Sequence, residues 1–218
     1  MLFTSLTPPF CEGRLYGIPE YYNTFSSLFM FFYTLYKLKV YSTYVNWGDF
    51  YQFYIVLNLN CLYSALFHYT LWKGFKVFDE TSMLIPLWMG LNCCSKLVAK
   101  SRKQYIYYIY CAAIFNLSFI VCNTFYAFQF LFPYLFGLEM LSLIYFYDNI
   151  SKISKKNRNR VIDKGQIGIS ICLVSGLLWF ITEKVCSSYL RFGHAIWHIG
   201  MPVGVDYFIQ FILDARII

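Results

Sequence analysis

Charged side chains are scarce in this sequence. Of its 218 residues only 13% are charged, about half the roughly 25% carried by a soluble domain. With 59% hydrophobic residues and a mean hydropathy of +0.50, that shortage excludes an ordinary soluble fold and points to a polytopic membrane protein. Histidine is scarcer still, at three residues. The eight cysteines include no CxxC and no regular spacing, which argues against a zinc ribbon or a disulfide scaffold. No basic residue precedes the first apolar stretch, and Pro8-Pro9 interrupts it, so a cleaved signal peptide is not expected. Internal repeats, low-complexity segments and a separate soluble domain are all missing, so residues 1–218 read as one domain. The net charge of +7 would suit a nucleic-acid partner, but the basic residues cluster between apolar runs, as they do in membrane loops. No nucleic-acid partner is expected, and protein partners are not legible.

What is present is a series of seven apolar runs, at roughly 21–36, 51–71, 82–99, 105–121, 124–147, 167–181 and 192–213. They predict an all-α bundle of seven transmembrane helices. Pro133 is expected to kink the fifth. Lys37, Lys39, Lys96, Lys100, Arg102, Lys103, Arg216 and the six basic residues from Lys152 to Lys164 fall on one side of that bundle. Arg14, Lys73, Lys76, Lys184 and Arg191 fall on the other. The basic loop 148–166 and the C-terminus are therefore expected in the cytosol, with residues 1–20 luminal.

The organising stretch is Gly193-His194-Ala195-Ile196-Trp197-His198-Ile199-Gly200. Its two histidines, four apart, share a helix face. On the expected topology His68 comes to the same depth at the exit of the second helix, and Ser64 lies one turn deeper on its face. Asp79 and Glu80 stand where the third helix begins. Ionisable groups at membrane depth default to functional hypotheses. Three neutral imidazoles suit zinc and leave a fourth position for water, whose pKa the metal would lower. Asp79 is placed to take a proton or orient that water, and Ser64 to donate to an oxyanion. Structural roles stand beside these: Ser64 as a helix-packing residue, Asp79 as an N-cap, and a lone buried histidine as a hydrogen-bonded core residue.

These residues resemble the alkaline ceramidases, within the superfamily of seven-helix membrane hydrolases that includes adiponectin receptors and GPI-lipid remodelling proteins. The matching pieces are Cys11-Glu12, Glu20-Tyr21-Tyr22-Asn23-Thr24, Ser64-x3-His68, Asp79-Glu80-Thr81-Ser82-Met83, Trp179-x6-Cys186 and His194-Ala195-Ile196-Trp197-His198-Ile199. The resemblance implies an intramembrane zinc amidohydrolase in the endoplasmic reticulum or Golgi. It would cleave ceramide, its membrane lipid partner, to a sphingoid base and a fatty acid. Zinc ligands would be His68, His194 and His198, with Asp79 serving the zinc-bound water that attacks the amide carbonyl and Ser64 serving the oxyanion. Cys11 and Cys186, both on the luminal side, would pair. Two alternatives remain: a related lipid ester hydrolase of the GPI-phospholipid type, or a lipid-binding receptor or scaffold with structural zinc.

The resemblance also implies a calcium site beside the zinc, and here the sequence departs from it. Glu12 and Glu20 match, but Pro9 and Arg14 stand where the family has Asp and Asn. Calcium takes six to eight oxygen ligands. The expectation is that Arg14 replaces the ion and pairs with Glu12 or Glu20, the alternative being a degenerate, partly occupied calcium site at Glu12 and Glu20.

Overall fold

The structure is a computed structural model and describes residues 4–42, 48–125, 132–153 and 158–216. Among them it is all-α. The helices are α1 (Cys11–Tyr16), α2 (Tyr21–Tyr41), α3 (Gly48–Thr70), α4 (Lys73–Val98), α5 (Arg102–Phe125), α6 (Phe132–Ile153), α7 (Arg158–Val185) and α8 (Gly193–Arg216). The helices extend past the apolar runs at most ends, because Tyr, Lys, Asn and Ser at those ends continue a helix without adding hydropathy. Three expectations change as a result. Pro133 sits in the first turn of α6, where its missing N–H costs nothing, and so does not kink a helix. Asp79 lies six residues inside α4 rather than capping it. The basic stretch 148–166 is largely the end of α6 and the start of α7. Residues 126–131 of the expected fifth run and 154–157 of the basic stretch lie outside the described residues.

Among the described residues two segments, Asp163–Val185 and Gly193–Ala215, are long and apolar enough to cross a membrane by length and composition. Other long helices carry more Tyr, Asn, Thr and Ser. α2, for example, contains five Tyr with Asn23, Thr24, Ser26, Ser27 and Thr34, and their hydroxyls and amides lower its hydropathy.

The chain divides into two compact units, Met1–Met83 with Ile171–Val203, and Leu84–Ser170 with Gly204–Ile218. In the first, α2 and α3 pack closely. Asn58 donates from Nδ2 to the Phe31 carbonyl at 2.7 Å and to Thr34 Oγ1 at 2.9 Å, a polar tie of the kind that joins helices in an apolar setting. Only Leu71 and Trp72 connect α3 to α4, which makes the two antiparallel neighbours. Leu71 is fully buried, with φ of 49°. The N-terminal segment ties to this turn through Leu6 N–H to the Leu71 carbonyl at 2.9 Å and Lys73 N–H to the Thr4 carbonyl at 3.1 Å. A two-residue turn sets depth: Ser64 is six residues before the end of α3 and Asp79 six after the start of α4. Both stand about 9 Å from the turn, at 1.5 Å per residue.

In the second unit, Tyr105 donates to Asn92 Oδ1 at 2.8 Å, and Lys164 pairs with Asp214 at 2.7 Å. Gly168 lets α7 approach α8. A Cβ there would stand 2.6 Å from the Gly204 carbonyl oxygen and 2.9 Å from the Phe208 nitrogen. Both are backbone atoms and cannot swing aside. Gly168→Ala is therefore expected to destabilise the protein by about 1–3 kcal/mol, the usual cost of overpacking. The thermal unfolding midpoint in detergent reads this; an unchanged midpoint would refute the close approach.

Candidate metal centre

The turn between α3 and α4, the end of α7 and the start of α8 bring the sequence-selected residues together inside the first unit. His68 is in the last turn of α3, and His194 and His198 occupy the first two turns of α8. Their ring centroids form a near-equilateral triangle: 4.9 Å from His68 to His194, 4.9 Å from His68 to His198, and 4.7 Å from His194 to His198. One nitrogen from each lies within 4.8 Å of the others, a group able to hold a metal ion.

The outer partners decide which nitrogen faces inward. His68 Nδ1 meets Glu20 Oε2 at 2.6 Å. His194 Nδ1 meets Glu183 Oε1 at 3.2 Å. His198 Nδ1 lies 3.2 Å from the Asn23 carbonyl oxygen, with the Ser26 and Ser27 hydroxyls at 2.9 Å and 3.0 Å. An imidazole that donates from Nδ1 carries its lone pair on Nε2. All three rings thus keep Nε2 for an ion, each backed by a carboxylate or carbonyl, as is usual for metal-ligating histidines. The donor set therefore fits a metal of the zinc type.

Ser64 and Asp79 join this group. Ser64 Oγ is 3.4 Å from His198 Nε2 and accepts from Ser27 Oγ at 3.1 Å, which leaves its own hydrogen to donate. Asp79 is buried and lies within interaction range of Ser64 and His194. Asn60 holds it, donating to its carbonyl at 2.8 Å and to Oδ1 at 3.2 Å. Phe10 covers the centre, its ring 4.2 Å from His194 and 5.2 Å from His68. Glu80 is also buried, and its Oε1 pairs with Lys76 at 3.4 Å.

The acidic residues of the N-terminal segment have other partners than the sequence suggested. Glu12 accepts from the Tyr22 and Asn23 amides at 2.7 Å and 2.9 Å, capping the start of α2, where Glu20 at the N-cap makes no capping bond of its own. A carboxylate is well placed there because it faces unpaired amides and the positive end of the helix. Arg14 does not pair with Glu12 or Glu20. It donates to the Glu183 carbonyl at 2.8 Å, to Glu183 Oε2 at 3.3 Å and to the Pro9 carbonyl at 3.0 Å, because Glu12 and Glu20 already face α2 and His68. Cys11 and Cys186 form a disulfide with Cα atoms 5.2 Å apart.

Sequence reasoning missed Glu183, Phe10, Asn60 and the Ser26–Ser27 pair. Asn60 had a signal, since Asn60, Ser64 and His68 recur every four residues on one face of α3. Glu183 had a weaker one, as an acid in the last turn of an apolar helix, the end that disfavours it.

The fold and centre define an all-α protein with a three-histidine site backed by carboxylates and fronted by a serine and an aspartate. The chain belongs to the ceramidase family, whose sequence profile matches residues 8–217, nearly its whole length. It therefore falls in a family of hydrolases acting on amides, with ceramide as the lipid the family name implies. No curated protein matches the chain.

Burial pushes the Glu20 carboxyl up, but its interaction with His68, the 2.6 Å hydrogen bond foremost, outweighs this and holds it below its ordinary 4.5. Its contribution to stability is thus complete above pH 4.5 and is lost as pH falls through its lower folded value. Glu12 goes the other way: burial raises it against the pull of the Tyr22 and Asn23 amides, so its contribution fades as pH rises above 4.5. Glu20→Gln should cost about 1.5–3 kcal/mol, the value of a charge-assisted hydrogen bond, and should flatten the loss of stability below pH 4.5. Denaturation midpoints measured across pH 3–6 would decide, and an unaltered acid limb would remove Glu20 from this role.

Proposed function

We propose that the chain is an integral membrane protein that hydrolyses ceramide to a sphingoid base and a free fatty acid at a zinc held by His68, His194 and His198. What carries this reading is the set of Nδ1 partners around three converging imidazoles, with Ser64 and Asp79 alongside, in a chain of the ceramidase family. Zinc bound there would lower the pKa of a water toward neutrality and polarise a carbonyl. The residues of the chain do the rest. Asp79 takes a proton as the water oxygen bonds to the amide carbon. Ser64 donates a hydrogen bond to the carbonyl oxygen as it gains charge. The C–N bond breaks as the proton passes from Asp79 to the departing nitrogen, which leaves as the amine of the sphingoid base. Phe10 over the rings limits water access from that side.

Seven crossings, with residues 1–20 in the lumen of the endoplasmic reticulum or Golgi, agree with the low charge content and the lopsided basic residues. A Cys11–Cys186 disulfide suits an oxidising lumen. Calcium does not belong to this reading. Both Glu12 oxygens accept from backbone amides and Arg14 is committed to Glu183. In this segment Glu20 Oε1 and Asn23 Oδ1 are buried without a hydrogen-bond partner, well short of calcium's six to eight ligands.

Purified protein incubated with a ceramide panel should release sphingoid base, and a zinc chelator should stop it while a calcium-selective chelator does not. His198→Ala should abolish release, Asp79→Asn should lower it about 10²–10⁴-fold, and Ser64→Ala about 10²–10³-fold. No base released from any ceramide by the unaltered protein would overturn the reading; loss of activity on calcium chelation would restore a calcium site.

A further inference from the structure

Arg14 and Glu183 form an ion pair whose side chains are 41% and 15% exposed. An isolated pair of that kind contributes little to stability, and two features argue that this one has another task. The first is where Glu183 stands. It lies in the last turn of α7, where the unpaired carbonyls make the helix end negative and a carboxylate unfavourable. The second is how its oxygens are divided. Oε1 faces His194 Nδ1 at 3.2 Å. Oε2 accepts from the Cys11 amide at 2.9 Å and from Arg14 at 3.3 Å. Arg14 also reaches the Glu183 main-chain carbonyl at 2.8 Å and the Pro9 carbonyl at 3.0 Å. One guanidinium thereby holds the carboxylate, the helix end and the N-terminal segment together. The Cys11–Cys186 disulfide attaches that segment covalently three residues beyond Glu183.

We infer that Glu183 is a positioning residue for the metal centre and that Arg14 is the group that holds it: the carboxylate fixes the His194 ring with Nε2 turned inward, and the guanidinium fixes the carboxylate. This rests on the three-histidine metal reading above. The Glu20–His68 pair is buried, at 2.6 Å, and Glu20 Oε2 is held from behind by Asn23 Nδ2 at 3.2 Å. The Glu183–His194 bond is longer and its carboxylate less buried, so its geometry depends on what lies behind it. The guanidinium suits that place because its fork donates to a side chain and a backbone carbonyl at once, and because it offsets the negative charge of both Glu183 and the α7 terminus.

The test uses the full-length protein purified in detergent, as Arg14→Gln, Glu183→Gln and the double variant. Zinc affinity is read by chelator competition, and site geometry by the visible absorption of the cobalt-substituted protein. Glu183→Gln keeps an acceptor for Nδ1 but loses the charge, and should weaken zinc about 10–100-fold and shift the cobalt bands. Arg14→Gln should weaken zinc in the same direction by less, and the double variant should match Glu183→Gln within about twofold, since both act through one carboxylate. Wild-type affinity and an unchanged cobalt spectrum in Glu183→Gln would overturn the relay, as would strictly additive losses in the double variant. Recovery of the Cys11–Cys186 linked peptide shows that a variant has folded at this end. Should Glu183→Gln fail that check, Arg14→Gln decides alone, and its unchanged affinity and spectrum overturn the relay. An unaltered protein that binds neither zinc nor cobalt overturns the metal centre itself, which is a distinguishable failure.

Discussion

Everything at this centre depends on giving each of three imidazoles a hydrogen-bond acceptor at Nδ1. Three neutral rings brought within 5 Å of one another in an apolar surround present six nitrogens, and each one left unsatisfied would be costly. Glu20, Glu183 and the Asn23 carbonyl take one from each ring and so set the tautomer. That choice turns the remaining three lone pairs toward one another, an arrangement that is unfavourable unless a cation relieves it. The outer partners therefore determine the chemistry of the inner space more than the histidines do.

The fold supplies those acceptors from helix ends rather than from helix middles. Asn23 offers a carbonyl in the first turn of α2, and Glu20 stands at its N-cap. Glu183 ends α7, and His68 ends α3. A helix start leaves amide N–H groups without partners inside the helix, which suits a carboxylate at this end of the site. The Glu12 carboxylate closes the start of α2 from ten residues away, and the disulfide and the two-residue α3–α4 turn limit how far these ends can separate. Sites on helix middles would have to import every polar group through an apolar face.

Much of this was legible because spacing and depth are properties of a one-dimensional sequence. His194 and His198 share a face by period alone, and apolar runs of known length put Ser64, His68 and Asp79 at one level. The part that was not legible is pairing across ends with no sequence relation. Arg14 lies 169 residues from Glu183, and nothing in the local pattern of either distinguishes Glu183 from Glu12 or Glu20 as its partner. The resemblance narrowed the choice to Glu12 and Glu20. It could not weigh the fact that Glu12 and Glu20 are already spoken for by α2 amides and His68. Boundaries failed for a different reason: Tyr-rich and basic helix ends are helical without being apolar, so hydropathy stops before the helix does.

Glu183 shows how such a residue can be recognised in principle. Local preference opposes a carboxylate in the last turn of a helix, and departures from local preference concentrate where a structure carries function. The cost here is offset by three donors converging on one side chain, two of them from a segment that a disulfide holds in place. A purely structural salt bridge would have no reason to aim its second oxygen at His194. That second oxygen, rather than the ion pair, is what connects the N-terminal segment to the centre.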